Sequence, residues 1–463
     1  MALYKNQRIE LTITAATSEG SGLGRYYDED CSQGFVVFVP LTAVGDRIRC
    51  HIQKVEKNHA FGRMEELLEA SSHRIADSCA KSDCKAFGQC GGCTWRHVSY
   101  EAELQYKWQT VADAISRIGG LTLTPEPIVG SPEADRYRNK AQYPIAAGPH
   151  RPLVGFYAMR SHRIVEQHDC KLQPECFAAV VECVVRWVKK YQVPLYDEST
   201  HTGLLRHVYI RRGEETGEML VCLVCTSGKL PRPETLVQAL CAAVPELVGI
   251  CVNLNSKDTN VILGDTTYAI WGQDHLTDRL CGLTFRLSPH SFSQVNRRQA
   301  EQLYTLAQQE AGLTGNEILL DLYCGTGTIG LSMAHRVKRL IGVEIVPQAI
   351  EDARKNAAEN GIKNARFLCA DAAEAAKQLR AEQLHPDVVI VDPPRKGCGE
   401  EVIRIIGEMA PRRVVYVSCN PATLARELTY FADCGYTSLR VTPVDMFPRT
   451  PHVETVCLLS KIK

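Results

Sequence analysis

The sequence predicts an α/β protein with a doubly wound, mostly parallel sheet in its C-terminal part, preceded by a small strand-rich barrel and a mixed α+β middle. Three observations carry this. From Gln299 onward helical segments alternate with short apolar runs, EILLD at 317–321, RLIGV at 339–343, ARFLC at 365–369, DVVIV at 387–391 and RVVYV at 413–417, the pattern of strand–helix–strand units. The first of these runs leads directly into a glycine turn, DLYCGTGTIG. Residues 6–60 instead alternate apolar and polar side chains with β-branched enrichment in RIELTITAAT, GFVVFVP and DRIRCHIQKV, broken by GSGLG and YDEDCSQG. Short strands of this kind close into a barrel.

A chain of 463 residues exceeds one ordinary core, and we place the divisions at 1–63, 64–288 and 289–463. The middle part holds the helix-like VSYEAELQYKWQTVADAISRI among strands. With 45% hydrophobic and 23% charged residues the composition is that of a soluble globular protein. No apolar run approaches the roughly 20 residues that a membrane helix needs, and the start, MALYKNQRIELTI, lacks the apolar core of a secretory signal. A cytoplasmic location is expected. Several of the 20 cysteines lie in apolar runs such as EMLVCLVC and AVVECVV, where a reduced thiol packs as a small hydrophobe, as a reducing compartment allows. Lys and Arg balance Asp and Glu at 53 each, so any polyanion must be met by a local patch. One such stretch is 131–212, with 13 Lys/Arg against 8 Asp/Glu, including RYRNK at 136–140 and Arg206, His207, Arg211 and Arg212. Charges of this kind are commonly just a solvated surface.

The glycine turn contains Gly325, Gly327 and Gly330 in GxGxxG spacing, which lets a ligand approach the backbone and the next helix pack on the sheet. Alone it fits a nicotinamide-dependent dehydrogenase equally well. Against that reading, Asp321 opens the loop where dehydrogenases carry an apolar residue. Glu344, at the end of the next strand, is placed to accept ribose hydroxyls in either case. The fourth strand decides, because DVVIVDPPRKG sets Asp392-Pro393-Pro394 at its carboxyl end, over the switch-point crevice where such sheets bind ligands. Paired prolines make a rigid wall without backbone donors, suited to a planar substrate. The motif resembles that of class I S-adenosylmethionine methyltransferases, in which it faces the methylated base, and that resemblance implies a Rossmann-like, seven-stranded, mostly parallel sheet.

After the fifth strand, VVYVSCNPATLARELT places Cys419 on a tight strand-to-helix turn, and a helix N-terminus is expected to favour its thiolate. Near the C-terminus PRTPHVETV holds His452 and Glu454. Together DLYCGTGTIG, VDPPRKG, SCNPATLARE and PRTPHVETV resemble the RNA 5-methyluridine methyltransferase family, which has transfer-RNA and large-subunit ribosomal-RNA members. The resemblance implies that Cys419 is the nucleophile that adds to carbon 6 of uracil and Glu454 the base that removes the carbon-5 proton, with His452 as the neighbouring alternative. It also implies cofactor contacts at Gln294, Tyr323, Glu344 and Asp392. Ser293 departs from the aromatic or aliphatic residue often found before the glutamine. A non-catalytic RNA-binding protein on the same sheet would have no need of Cys419 or Glu454.

Upstream, CAKSDCKAFGQCGGCTWRH gives Cys84-x5-Cys90-x2-Cys93, with Cys79 just before. Such density calls for a metal or a disulfide. Zinc favours paired short spacings, whereas an unequal triplet with a distant fourth thiol suits an iron–sulfur cluster. Similarity to the ribosomal-RNA members implies a [4Fe–4S] cluster whose fourth ligand is Cys170, in EQHDCKLQ, with Cys79 left over. The N-terminal stretch resembles the TRAM module, an OB-like five-stranded RNA-binding barrel, although residues 1–60 hold 7 basic and 7 acidic residues. The implied activity is S-adenosylmethionine-dependent methylation of uridine carbon 5 in structured RNA. Large-subunit 23S ribosomal RNA is the first expectation and transfer RNA the alternative, for a monomer with no membrane partner.

Overall fold

In the computed structural model, which describes residues 3–27, 34–75 and 84–462, the strands Arg8–Ala16, Gly22–Tyr26, Phe35–Val39, Arg47–Val55 and His59–Glu69 close into a barrel. Alternation drives the closure. In Arg8–Ala16 the side chains of Ile9, Leu11 and Ile13 are buried while Arg8, Glu10 and Thr12 face out, so one face of the strand must find apolar neighbours. It finds Val37, Val39, Ile48 and Ile52. A side chain on Gly62 would overlap Cys50 Sγ inside the barrel, so that strand crosses only as glycine.

The middle part is a seven-stranded mixed sheet running from Thr266–Gly272 through Leu247–Leu254, Met219–Cys225, Leu205–Arg212 and Lys140–Ala146 to Leu153–Tyr157 and Ile164–Glu166. Helices Cys176–Tyr191 and Pro233–Ala243 cover one face. The other face sends Tyr209, Leu220, Cys222 and Cys251 into a core shared with the C-terminal sheet. Every residue of Met219–Cys225 is therefore buried, which explains its unbroken apolar run.

The C-terminal sheet has the expected seven strands, in the spatial order Ala365–Cys369, Arg339–Glu344, Ile318–Leu322, Val388–Val391, Arg413–Ser418, Glu454–Lys461 and Tyr436–Val444. The first five are parallel, and Glu454–Lys461 runs antiparallel to both of its neighbours. Chain order reverses between Ile318–Leu322 and Val388–Val391, so a crevice opens at their carboxyl ends.

Helix Tyr100–Asp113 ties the middle of the chain to this sheet. Lys107, fully buried, donates to Glu103 Oε1 at 2.8 Å, Asp445 Oδ1 at 2.6 Å and the Phe447 carbonyl at 3.1 Å. Tyr100 donates to the other oxygen of Asp445 at 2.7 Å, and the Arg449 backbone N–H donates to Glu103 at 2.7 Å. The segment that leads into Glu454 is thereby fixed by a helix more than 300 residues earlier in the chain. Removing this cation leaves buried Asp445 uncompensated and Glu103 with only Arg449 at 3.8 Å, so Lys107→Met should lower stability to urea by about 3–5 kcal/mol. Arg404→Ala, which breaks the exposed pair with Glu408, should leave the unfolding midpoint almost unchanged. Equal losses from the two variants would refute this ranking.

Candidate active site

Strand Ile318–Leu322 delivers Asp321 to the base of the glycine turn, where its Oδ2 accepts the Gly330 N–H at 2.9 Å. Burial, aided by Asp392 and Glu344, pushes this carboxyl up to about 8. A side chain at Gly330 would stand 2.7 Å from Asp321 Oδ2 and 2.9 Å from Leu340 Cδ1, so helix Thr328–Met333 can settle on the sheet only because this residue is glycine. Tyr323 and Gly327 reverse the chain with φ of 67° and 84°, a left-handed conformation that costs a tyrosine energy and a glycine almost none. Glu344 closes the turn, accepting from Gly325 N at 3.2 Å and Val346 N at 3.0 Å.

Tyr323, Glu344 and Asp392 thus stand at the carboxyl ends of three adjacent strands. Asp392 is half-buried and is pushed up to about 7 by burial. Gln294 comes from outside the sheet, on the irregular segment 288–296, which meets the glycine turn where Thr326 Oγ1 donates to the Phe292 carbonyl at 3.5 Å.

Strand Arg413–Ser418 ends at Cys419, and Asn420 caps helix Pro421–Asp433 by accepting from Ala422 N at 3.1 Å and Thr423 N at 3.3 Å. The same helix holds the DPPRKG loop. Asn420 Nδ2 and Thr423 Oγ1 donate to the Arg395 carbonyl at 3.3 and 3.1 Å. Buried Glu427 accepts from Cys398 N and Gly399 N at 3.0 Å each and from Tyr416 OH at 2.7 Å. The two motifs are therefore one mechanical unit.

Glu454 is the first residue of its strand, 4% exposed, and close enough to Cys419 for its charge to be felt at the thiol. A glutamate normally sits at the surface. Here burial, then Asp392, pushes it up to about 8, with Arg395 opposing. The expected thiolate at Cys419 is corrected by this setting: burial and the carboxyls of Glu454 and Asp392 push the thiol up to about 11, and Arg395 offsets only part of that. Desolvation and like charge outweigh the helix N-terminus. Burial also holds the His452 imidazole down at about 4, helped by Arg395, Lys107 and Arg138, so it is neutral at physiological pH. Arg395, which faces both Cys419 and Glu454, is absent from the residues nominated on the sequence. Its position directly after the paired prolines was the available signal.

Cys419, Arg395 and His452 line a cavity of about 790 Å³. Cys84, Cys90, Cys93 and Cys170 line the same cavity, with Arg138 and Phe156 also in the wall. The four thiols feel one another electrostatically: Cys90 is raised in part by Cys93 and Cys84, and Cys93 and Cys170 by their fellows. Gln167 Nε2 approaches Cys84 Sγ at 3.4 Å and Gly92 N approaches Cys90 Sγ at 3.3 Å. Among the described residues, no group of three or more His, Cys, Asp or Glu side chains is placed to hold a metal ion. Cys79 lies outside the described residues. The basic stretch divides. Arg206 and Arg211 are buried and donate to backbone carbonyls, His207 is buried, and Arg136 pairs with Asp169 and Glu175. These side chains hold the fold together, and they correct the reading of the whole stretch as an RNA-facing patch. Arg138 and Arg160 are the two arginines of the stretch that reach the cavity wall.

Residues 256–462 match the model of the tRNA (Uracil-5-)-methyltransferase family, and residues 2–64 match that of the TRAM domain. An uncharacterized RNA methyltransferase from Halalkalibacterium halodurans is 42% identical over 456 residues, which cover 98% of this chain and 97% of the relative. One from Clostridium tetani is 39% identical over 456 residues, covering 98% and 97%. The chain belongs to the RNA uracil-5-methyltransferase family. The solved structure of the Pyrococcus abyssi tRNA (uracil-54, C5)-methyltransferase in complex with S-adenosyl-L-homocysteine is 27% identical, with a TM-score of 0.77 over 97% of this chain and 99% of that one. This uracil-5-methyltransferase is therefore an enzyme that uses S-adenosylmethionine on RNA, and it carries a TRAM barrel. The dehydrogenase and the purely RNA-binding readings fall. Among the described residues no helix is long and apolar enough to cross a membrane.

Proposed function

We propose that the enzyme methylates carbon 5 of a uridine in structured RNA through a covalent bond between Cys419 and carbon 6. The observation that carries this is the buried carboxyl of Glu454 acting on the thiol of Cys419, which lines the cavity. Carbon 5 of uracil is too weakly nucleophilic to react unaided. Addition of the Cys419 sulfur to carbon 6 breaks the 5,6 double bond and places the electron pair on the enolate, with density at carbon 5. S-adenosylmethionine supplies an electrophilic methyl group on a sulfonium. Glu454 then takes the carbon-5 proton, the double bond re-forms, and Cys419 leaves as thiolate. Because the thiol sits at about 11, it must give up a proton before attack, and Arg395 supports the charged form. Gln294, Tyr323, Glu344 and Asp392 hold the cofactor, Glu344 through the ribose hydroxyls.

We take large-subunit ribosomal RNA as the substrate and Cys84, Cys90, Cys93 and Cys170 as the ligands of a [4Fe–4S] cluster. In support, the four thiols share one cavity wall, and N–H donors approach two of the sulfurs, as around cluster thiolates. A four-iron cluster also separates its thiolates more widely than a single ion does. The cluster would lie in the RNA-facing wall and serve as structure, with no step of methyl transfer passing through it. Transfer RNA is the second reading, favoured by the Pyrococcus abyssi relative.

Incubation with labelled 23S fragments and transfer-RNA transcripts, followed by denaturing gels, tests both the chemistry and the substrate. Cys419→Ala should abolish turnover and form no adduct, while Glu454→Gln should trap methylated RNA on Cys419, with release slowed by about 10² to 10⁴. Normal turnover by Glu454→Gln would refute its role, and modification confined to transfer RNA would refute the ribosomal reading.

The pH profile follows from the same group. A base raised to about 8 is ionised only as pH climbs through that value, so release of methylated RNA from Cys419, the step that uses this base, should rise tenfold per pH unit below about 8 and level off above it. Arg395→Ala removes the charge that lowers Glu454, so the bend should move to higher pH. A profile flat from pH 6 to 9 would contradict the assignment.

Anaerobically purified enzyme should be brown, with broad absorbance near roughly 400 nm from thiolate-to-iron charge transfer. Substitution of any one of Cys84, Cys90, Cys93 and Cys170 should remove the colour. Colourless enzyme with stoichiometric zinc would end the cluster reading.

A further inference from the structure

Segment 288–296 has no regular secondary structure to hold it, yet it carries Gln294 to the cofactor turn. Its own bonds amount to a small turn in which Ser288 and Ser291 exchange contacts of 3.0 to 3.2 Å. From the C-terminal domain it receives Ser291 Oγ to Asp352 Oδ2 at 2.9 Å, the long Thr326 contact and, at its far end, Asn296, which donates to the Met446 carbonyl at 3.2 Å and caps helix Arg297–Ala311. On either side of Gln294 itself the anchors come from the middle sheet. Arg211, on strand Leu205–Arg212 and 1% exposed, donates through Nη1 to the carbonyls of Ser288 and Ser291 at 2.7 and 2.8 Å, and through Nη2 to the hydroxyl of Ser293. Asn139 donates its backbone N–H to the Val295 carbonyl at 2.9 Å and its side-chain amide to the Gln294 carbonyl at 3.1 Å. Asn139 is itself held by the backbone N–H of Arg212, which donates to its carbonyl at 2.8 Å.

Gln294 is thus bracketed: the residue before it is bound by Arg211, and the residue after it by Asn139. We infer that Arg211 and Asn139 are positioning residues for the cofactor, a clamp by which the middle sheet sets where Gln294 stands at the glycine turn. Arg211 touches neither cofactor nor RNA in this role and acts through the segment it holds. A guanidinium suits the task because its rigid planar fork spreads its donors over two nitrogens in fixed directions, whereas a lysine ammonium offers a single point on a flexible stem. Ser293 enters the argument here. Its hydroxyl is an acceptor that the aromatic or aliphatic residue expected at this position would not offer.

The inference rests on the reading of Gln294 as a cofactor contact, and neighbouring Arg206 supplies the control. It lies on the same strand, is also buried, and holds another loop through the carbonyls of Asn255, Lys257 and Thr259 at 2.9, 2.8 and 3.4 Å. Full-length Arg211→Lys, Ser293→Ala, Asn139→Ala, Arg206→Lys and Gln294→Ala would be compared by titration with S-adenosylhomocysteine and by separate KM values for S-adenosylmethionine and RNA. Arg211→Lys should weaken S-adenosylhomocysteine and raise the cofactor KM by about tenfold or more, with the KM for RNA within about twofold. Ser293→Ala and Asn139→Ala, milder changes that should fold even where Arg211→Lys does not, should shift the same two quantities by roughly threefold to tenfold. Arg206→Lys should leave both unchanged whatever its melting temperature. The clamp is overturned if Arg211→Lys and Ser293→Ala keep unaltered cofactor affinity while Gln294→Ala loses it, or if Arg206→Lys loses it equally. If Gln294→Ala binds normally while the clamp variants do not, the positioning role stands and the reading of Gln294 fails.

Discussion

A single buried ammonium organises the catalytic end of the molecule. Lys107 lies between Glu103 of its own helix and Asp445, more than 300 residues later, and the segment from Asp445 to Val453 is draped over that contact. Tyr100 satisfies the second oxygen of Asp445, and Arg449 pairs at 3.8 Å with the second oxygen of Glu103. Buried ion pairs are poor sources of net stability, since desolvation consumes most of what attraction returns. What they supply is position. A segment with no regular structure must otherwise be held by packing, and here it presents His452 and Glu454 beside Cys419, where small displacements would separate base from nucleophile.

The site built on this frame is defined by dryness. Asp321, Asp392 and Glu454 are all pushed to about 7 or 8, and the Cys419 thiol to about 11. Three carboxyls near neutrality cannot all be ionised cheaply at close range, and Arg395 is the cation that opposes the shifts at both Glu454 and Cys419. Such a site favours proton exchange close to physiological pH. It also explains why the SCNPATLARE helix grips the DPPRKG loop so firmly: the loop carries Asp392 and Arg395, so its placement sets the electrostatics of the nucleophile.

The C-terminal sheet was legible in the sequence because buried parallel strands read as unbroken apolar runs. EILLD and RVVYV became Ile318–Leu322 and Arg413–Ser418 with shifts of about one residue. The barrel was legible by alternation. Less visible was anything that depended on partners distant in the chain. Lys107 looks like one more charge on an amphipathic helix, and Arg211 like part of a basic patch, until the fold brings Asp445 and Ser288 to them. Cys419 was found by its motif, but its protonation was misread, because a helix N-terminus is a local feature whereas the carboxyls of Glu454 and Asp392 reach the thiol only through the order of strands in the sheet.

On the proposed reaction this architecture also restricts the form of RNA that can be methylated. Cys419 is half-buried in the wall of a cavity, so a uridine held in a duplex cannot bring carbon 6 to the sulfur. The base must leave its stack, at a cost of a few kcal/mol that is least for loops and unpaired nucleotides. That cost has to be offset inside the cavity, where Arg138 and Arg395 can meet phosphates and Phe87 and Phe156 can offer faces to unstacked bases. The cysteine-bearing loop lines the same space. Its conformation therefore sets how much RNA can enter beside the target, and the choice of uridine belongs to the whole cavity rather than to the nucleophile alone.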